Sequence, residues 1–339
     1  MFTTLAWQLA KSIPDILPYI ESAIEVEPLL PTKSIDIQFK CLIVQAFEKL
    51  CSEEPDFRPK RFLVIIDGID ECAPDQAQLV FLKLIGDALH HTQIPLRFLI
   101  CSRPEAHIHE MFGKEEMTNL TLPVVLDNRF TPGEDIRRYL VDESARIYAE
   151  HQLSLSPWPP YGAVDELVSK SSGQFIYAAT VVKFIDDIGG DPRAQLDIIL
   201  KIHPPEFSSP YAELDQLYIQ ILSQQPDIRL LRDTFTLIIA LRQPTITFVC
   251  RQLRISREDL ERKLCRLCSL IQMSESVIDI YHLSLHDFFC DKKRASKYFI
   301  HPAWITLVRI PVIMRPVGQI IQFASFMVLT LGLGPLFFN

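Results

Sequence analysis

Three carboxylates follow one apolar run in the first third of the chain. Residues 62–66 are Phe-Leu-Val-Ile-Ile, a continuous run of aromatic and branched side chains, and Asp67, Asp70 and Glu71 come soon after it. Such a run is typical of a strand that is buried on both faces of a parallel sheet. Ligands bind at the carboxyl ends of such strands, and carboxylates that leave water need a cation or a proton. The pattern therefore predicts a site for a nucleotide with Mg²⁺.

A second apolar run ends in a hydroxyl and a guanidinium group. Residues 96–101 are apolar apart from Arg97, and Ser102 and Arg103 follow them. The two runs are about thirty residues apart, which is typical of a β-α-β unit, and residues 79–89 between them have leucine and isoleucine at helical spacing. A guanidinium group can pair with a phosphate through two hydrogen bonds. The second strand therefore ends in a group that suits a phosphate ligand.

The two strand ends together resemble those of a family of nucleotide-dependent signalling proteins. The segments LVIIDGIDEC (63–72) and LRFLICSRPE (96–105) are similar to the Walker B and sensor 1 strands of the NACHT branch of STAND nucleoside triphosphatases, especially of its fungal members. The cofactor of that family is ATP or GTP with Mg²⁺. The resemblance extends over about residues 2–301.

The resemblance implies a role for each polar residue at the strand ends. Asp67 would act through Mg²⁺, and Asp70 or Glu71 would orient the attacking water. Ser102 and Arg103 would bind the nucleotide, with Arg103 at the γ-phosphate. These five residues are the candidate site in the first part of the chain.

One part of the family's nucleotide site has no counterpart in these 339 residues. The pattern G-x-x-x-x-G-K-[ST] does not occur, and Gly113-Lys114 is followed by Glu115 rather than by a hydroxyl residue. The backbone amides and the lysine of that loop hold the phosphates. We therefore expect nucleotide to bind weakly or not at all, and hydrolysis to be inefficient.

Composition and charge restrict the function classes. With 48% hydrophobic residues the chain is globular, and a net charge of −8 argues against a general nucleic-acid binder. Eight cysteines without a preceding secretory signal indicate a reduced compartment, and we expect a cytoplasmic protein. Cys265 and Cys268 form a CxxC pair without a second ligand pair nearby, so we interpret them as helix positions rather than as zinc ligands.

The fold class expected from these patterns is α/β. The core would be a parallel sheet like that of P-loop nucleoside triphosphatases, truncated at its amino-terminal end and including residues 120–126 as a further strand. A helical domain and a winged-helix domain would follow it. The predicted boundaries are 1–150 for the partial nucleotide-binding domain, 151–243 for the helical lid and connector, 244–301 for the winged helix and 302–339 for a hydrophobic tail.

A histidine in the predicted winged helix is the remaining site candidate. Residues 281–289, YHLSLHDFF, resemble the F-x-H-x-S-F-x-x-F-F stretch of the family. The resemblance implies that His282 contacts the β-phosphate of bound ADP and holds the inactive state. The alternative is a histidine that is hydrogen-bonded within the core of its own domain. The sequence leaves both interpretations open.

The tail has the composition of a membrane anchor. Residues 317–338 contain no ionised side chain and are long enough to span a bilayer as a helix. This pattern predicts a single-pass anchor at the carboxyl end with the globular part in the cytosol. The alternative is an error in the gene structure, in which translated non-coding sequence replaces the true tail.

Two functional classes remain open. The first is a degenerate member that acts as a regulatory or interaction module and binds protein partners or full-length paralogues. The second is part of an ATP- or GTP-dependent signalling switch, similar to those of innate immunity, whose phosphate loop lies upstream of an incorrectly assigned start.

Overall fold

The computed structural model describes residues 2–54, 61–72, 74–91, 94–126, 132–153, 157–187, 190–203 and 211–313. The chain divides into two compact units, Met1–Val125 and Leu126–Asn339. Each unit has its own hydrophobic core. The two units are described separately below, and the predicted domain boundaries remain predictions.

The first unit consists of helices around one short sheet. Its elements are α1 (Phe2–Ser12), α2 (Leu17–Val26), α3 (Ile35–Phe39), α4 (Gln45–Glu53), β1 (Phe62–Ile66), α5 (Asp75–His91), β2 (Leu96–Ile100), α6 (Ala106–Phe112) and α7 (Glu115–Thr118). A π-helical segment, Lys40–Val44, joins α3 directly to α4. In the core, the ring of Phe2 stacks on Phe81 at a centroid distance of 4.7 Å and contacts Phe39 at 4.5 Å.

Among the residues that the structure describes, those of the first unit cover its sheet on one face only. Strands β1 and β2 pair in parallel, with Ile65 opposite Leu99. Val64 and Leu96 point into the core, whereas Leu63, Ile65 and Leu99 are 61%, 63% and 49% exposed. The expectation of a strand buried on both faces is therefore wrong. A continuous apolar run is buried on both faces only when layers cover both sides of the sheet, and here burial alternates along each strand.

The predicted fold class is also wrong. Among the described residues the strands form only two sheets of two strands each, and the rest of the regular structure is helical. A large parallel sheet like that of a P-loop core is not present there. Residues 120–126, which we predict as a further strand, form no strand, and Leu122 and Leu126 are 89% and 81% exposed. Pro123 offers a physical reason, since proline donates no hydrogen bond to a neighbouring strand.

The second unit is helical with one small hairpin. Its elements are α8 (Pro132–Glu150), α9 (Ala163–Ser171), α10 (Phe175–Ile185), α11 (Pro192–Leu200), α12 (Ala212–Ser223), α13 (Ile228–Leu241), α14 (Ile246–Leu253), α15 (Arg257–Leu264), β3 (Ile271–Met273), β4 (Ile278–Ile280), α16 (Leu283–Cys290), α17 (Lys292–Ala295) and α18 (Pro302–Ile313). β3 and β4 pair antiparallel, with Ile271 opposite Ile280. Ser256 caps the start of α15, since Ser256 Oγ accepts a hydrogen bond of 3.0 Å from the backbone N–H of Asp259.

Two charged residues of the second unit, Asp215 and Lys170, are buried and have partners within the protein. Arg294 on α17 contacts both carboxylate oxygens of Asp215 on α12, at 2.8 to 3.1 Å, and their side chains are 17% and 9% exposed. Lys170, which is 8% exposed, donates hydrogen bonds to the carbonyl oxygens of Ile199, Leu200 and Ile202 just where α11 ends. A cation at a helix carboxyl terminus satisfies carbonyl groups that have no partner within the helix.

The predicted anchor, residues 317–338, lies outside the described residues. Within the part of the chain that the structure describes, no helix is long and apolar enough to cross a membrane. The helix nearest to the tail, α18, ends at Ile313.

The pair of Asp215 and Arg294 gives a stability prediction. We expect Arg294→Ala to lower the free energy of unfolding by about 3 to 5 kcal/mol, because it leaves a buried carboxylate without its partner. Arg262→Ala is the matched control, since Arg262 also pairs with an aspartate but its side chain is 75% exposed, and it should cost less than about 1 kcal/mol. Urea denaturation followed by circular dichroism measures both. Equal shifts for the two variants would contradict the assigned role of the buried pair.

Candidate functional site

The parallel pairing of β1 and β2 brings the two predicted strand ends to one edge of the sheet. The pairing continues past the strands, since the backbone N–H of Cys101 donates to the carbonyl of Ile66 at 2.8 Å. The N–H of Ile69 then donates to the carbonyl of Cys101 at 3.1 Å. The loop after β1 and the loop after β2 therefore lie side by side.

Asp70 and Arg103 join these two loops. The backbone N–H of Arg103 donates to Asp70 Oδ1 at 3.1 Å, and Arg103 Nε lies 3.5 Å from Asp70 Oδ2. The Asp70 side chain is 6% exposed, whereas that of Arg103 is 38% exposed. A carboxylate this deeply buried needs compensation, and Arg103 supplies it from within the protein. In this arrangement both groups serve as partners for each other.

Gln78 and His107 also belong to this site, although neither is part of the two sequence motifs. Gln78 on α5 is 2% exposed, and its Nε2 donates to the backbone carbonyls of Asp70 and Cys72 at 3.0 and 2.6 Å. Its Oε1 lies 2.6 Å from Nε2 of His107. The available signal was a glutamine at helical spacing with Leu82 and Ile85 on the apolar face of α5, where a polar side chain needs partners.

The other two acidic candidates lie on the surface. Asp67 and Glu71 are exposed, and Gly68 between them has a φ of +66°, a conformation that favours glycine. A Cβ at position 68 would lie 3.2 Å from the Glu71 side chain. No group of three or more histidine, cysteine or acidic side chains that could hold a metal ion occurs among the described residues. The roles of Asp67 at Mg²⁺ and of Glu71 at water remain predictions.

Ser102 is exposed and bonds locally. Its hydroxyl donates to the backbone carbonyl of Arg103 at 2.8 Å. This bond shapes the loop after β2. Its predicted contact with a nucleotide remains a prediction.

His282 belongs to the second unit, where it caps a helix. The backbone N–H of Ser284 donates to His282 Nδ1 at 3.1 Å at the start of α16, so this nitrogen carries no proton. Ser284 Oγ lies 2.7 Å from the same nitrogen and 2.8 Å from the hydroxyl of Tyr218. Burial raises the pKa of Tyr218 to about 12, so its hydroxyl stays protonated. These hydrogen bonds lie within the domain of His282 itself, but its side chain is exposed rather than buried in a core. Both the phosphate role of His282 and the alternative of a core histidine remain predictions.

Comparison with known protein families gives a match over the first part of the chain. Residues 1–103 are similar to the protein family described as Nephrocystin 3, N-terminal, which is related to NACHT-containing proteins. The match includes Asp67, Asp70 and Arg103 and ends before the second unit. No curated protein and no solved structure matches the chain.

The loop contact predicts different effects for two neighbouring acids. Asp70→Ala should lower the free energy of unfolding by about 1 to 3 kcal/mol, because the N–H of Arg103 loses its acceptor and the guanidinium loses its partner. Asp67→Ala removes an exposed carboxylate and should change stability by less than about 0.5 kcal/mol. Urea denaturation of both variants tests this difference. A larger loss of stability for Asp67→Ala than for Asp70→Ala would contradict the role assigned to the contact between Asp70 and Arg103.

Proposed function

We propose that this chain is a degenerate member of the NACHT class of signalling proteins that acts as a protein-interaction module and binds nucleotide weakly or not at all. The similarity of residues 1–103 to a NACHT-related family supports the class. The observation that carries the interaction role is the uncovered apolar face of the β1–β2 sheet.

This face presents three large apolar side chains to solvent. Leu63, Ile65 and Leu99 lie on the same side of the sheet, because side chains alternate along each strand and Ile65 is the register partner of Leu99. Full burial of one such side chain is worth about 1.5 to 3 kcal/mol. Because the three side chains are 61%, 63% and 49% exposed, a partner that covers all of them would gain less than twice that amount before the cost of association. Contiguous apolar patches of this kind are typical of interaction sites.

The strand edges suit a partner in an extended conformation. Within the described chain β1 and β2 pair only with each other, so each has one edge whose backbone groups face no strand. An extended segment can add to such an edge through backbone hydrogen bonds while its apolar side chains contact the sheet. The partner would therefore be a protein, such as a full-length paralogue, that offers an extended apolar segment.

Weak nucleotide binding is supported by the site itself. Asp70 and Arg103 are engaged with each other, and a nucleotide would have to compete with that contact. The sequence also has no phosphate-binding loop of the G-x-x-x-x-G-K-[ST] type. Phosphate oxygens would have to bind without the backbone cradle that such loops provide.

The second candidate is a nucleotide-dependent switch. It is favoured by the position of Asp67, Ser102 and Arg103 at the carboxyl end of two parallel strands, where α/β proteins bind ligands. In that case a phosphate-binding segment outside these residues would complete the site.

A titration with ATP and Mg²⁺ separates the two candidates. We expect calorimetry to detect no saturable binding up to about 1 mM ATP, which corresponds to a binding free energy weaker than about 4 kcal/mol. Thermal unfolding in the same buffer should be unchanged, since only a ligand of the folded state raises the melting temperature. Micromolar binding that disappears in Arg103→Ala would instead support the switch.

The interaction face is tested by site-specific photo-cross-linking in cells. A photoreactive phenylalanine analogue at position 99 should give a discrete protein adduct, and Leu63→Lys in the same chain should abolish it. The control places the analogue at Glu258, an exposed position in the second unit. If position 99 gives no adduct, or the same adducts as position 258, the face is not an interaction site.

A further inference from the structure

Helix α16 carries a cysteine, a histidine and an aspartate in contact with one another. Cys290 follows His286 by four residues, so both side chains lie on one face of the helix. Cys290 Sγ lies 3.9 Å from His286 Nε2, and His286 Nδ1 lies 3.3 Å from Asp287 Oδ1. The imidazole therefore bridges a carboxylate and a thiol.

The bridge favours the charged imidazole. Hydrogen bonds to Asp287 and to Cys290 raise the pKa of His286 to about 9, so the ring is an imidazolium at neutral pH. In that form both ring nitrogens donate, Nδ1 to the carboxylate and Nε2 to the sulfur. A cation beside a thiol favours the thiolate, which is the nucleophilic form of cysteine.

The side chains of this site are partly exposed to solvent. Two other cysteines of the chain lie in surroundings that differ from those of Cys290. The side chains of His286 and Asp287 are 32% and 34% exposed, and Cys290 is partly exposed. By contrast, burial raises the pKa of the Cys250 thiol, which favours the unreactive protonated form. Cys265 is exposed, but its thiol donates to the backbone carbonyl of Arg262 at 3.1 Å.

We propose that Cys290 is a site of reversible oxidation by hydroperoxides, with His286 as its proton donor and Asp287 as the residue that positions the ring. The thiolate sulfur attacks one oxygen of hydrogen peroxide. The S–O bond forms as the O–O bond breaks, and the leaving hydroxide takes the Nε2 proton of His286 to become water. Cys290 becomes a sulfenic acid, oxidised by two electrons, and the peroxide is reduced by two electrons.

The thiolate is detected by its reaction rate with iodoacetamide, measured for each cysteine by mass spectrometry of the whole chain. An ordinary exposed thiol should react roughly 50 to 100 times more slowly at pH 6 than at pH 8, because its thiolate fraction falls about tenfold for each pH unit. Cys101 and Cys265 serve as these exposed references. For Cys290 we expect a smaller change than for these references, because the imidazolium of His286 lies beside its sulfur.

Two variants test whether the imidazole of His286 causes the weak pH dependence expected for Cys290. His286→Gln should give Cys290 the steep pH profile of Cys101, while His109→Gln, an exposed histidine in the first unit, should leave the profile of Cys290 unchanged. The slow reaction of Cys250 reports in every variant whether the second unit remains folded. If Cys290 has the same profile as Cys101 in the unmodified chain, the proposal is overturned.

Oxidation itself is measured by trapping the sulfenic acid with dimedone after exposure to hydrogen peroxide. We expect the adduct at Cys290, none in Cys290→Ser at that position, and about tenfold less at Cys290 in His286→Gln. Labelling of Cys101 and Cys265 to the same extent as Cys290 would reduce the observation to ordinary surface oxidation and refute the proposal.

Discussion

A charge that leaves water during folding has to meet a partner, and this requirement determines which segments of both units are joined. The carboxylate of Asp70 meets the backbone and guanidinium of Arg103, so the loops after β1 and β2 close on each other. Asp215 meets Arg294, so α17 is held on α12. Lys170 meets three carbonyl groups where α11 ends. Each contact lies between segments distant in sequence, which fixes the path of the chain.

The local elements of the chain could be predicted from its sequence, but their surroundings could not. The strands at residues 62–66 and 96–100 and the helix between them follow from apolar runs and periodicity. Whether a strand is covered on one face or on both depends on layers contributed by the rest of the chain. For this reason the predicted sheet core was wrong, although the position and parallel direction of its two strands were right.

The candidate site, too, could be predicted from the sequence only in part. Because parallel strands end at one edge, the proximity of Asp70 and Arg103 could be anticipated from the two motifs, but their direct pairing could not. Gln78 and His107 could not be predicted from a motif, because their role comes from contacts between segments. The same is true of His286 and Cys290, although their spacing of four residues places both on one face of a helix. The residue types at the strand ends predicted a nucleotide site. In the structure two of these residues, Asp70 and Arg103, contact each other.

The π-helical segment Lys40–Val44 has a consequence for how this chain tolerates changes in length. Buried residues recur at every fourth position across it, namely Gln38, Leu42, Ala46 and Leu50. In a regular α-helix each such step would drift by about 40° around the axis, so the last of the four would lie about 120° from the first. The wider turn of the π segment offsets this drift. Deleting one residue there would restore a regular helix in which Leu50 follows Gln38 by eleven residues, so that it would lie only about 20° from Gln38 around the axis and still face the core. This helix can therefore lose one residue within the π segment more readily than elsewhere, where a deletion rotates everything after it by about 100°.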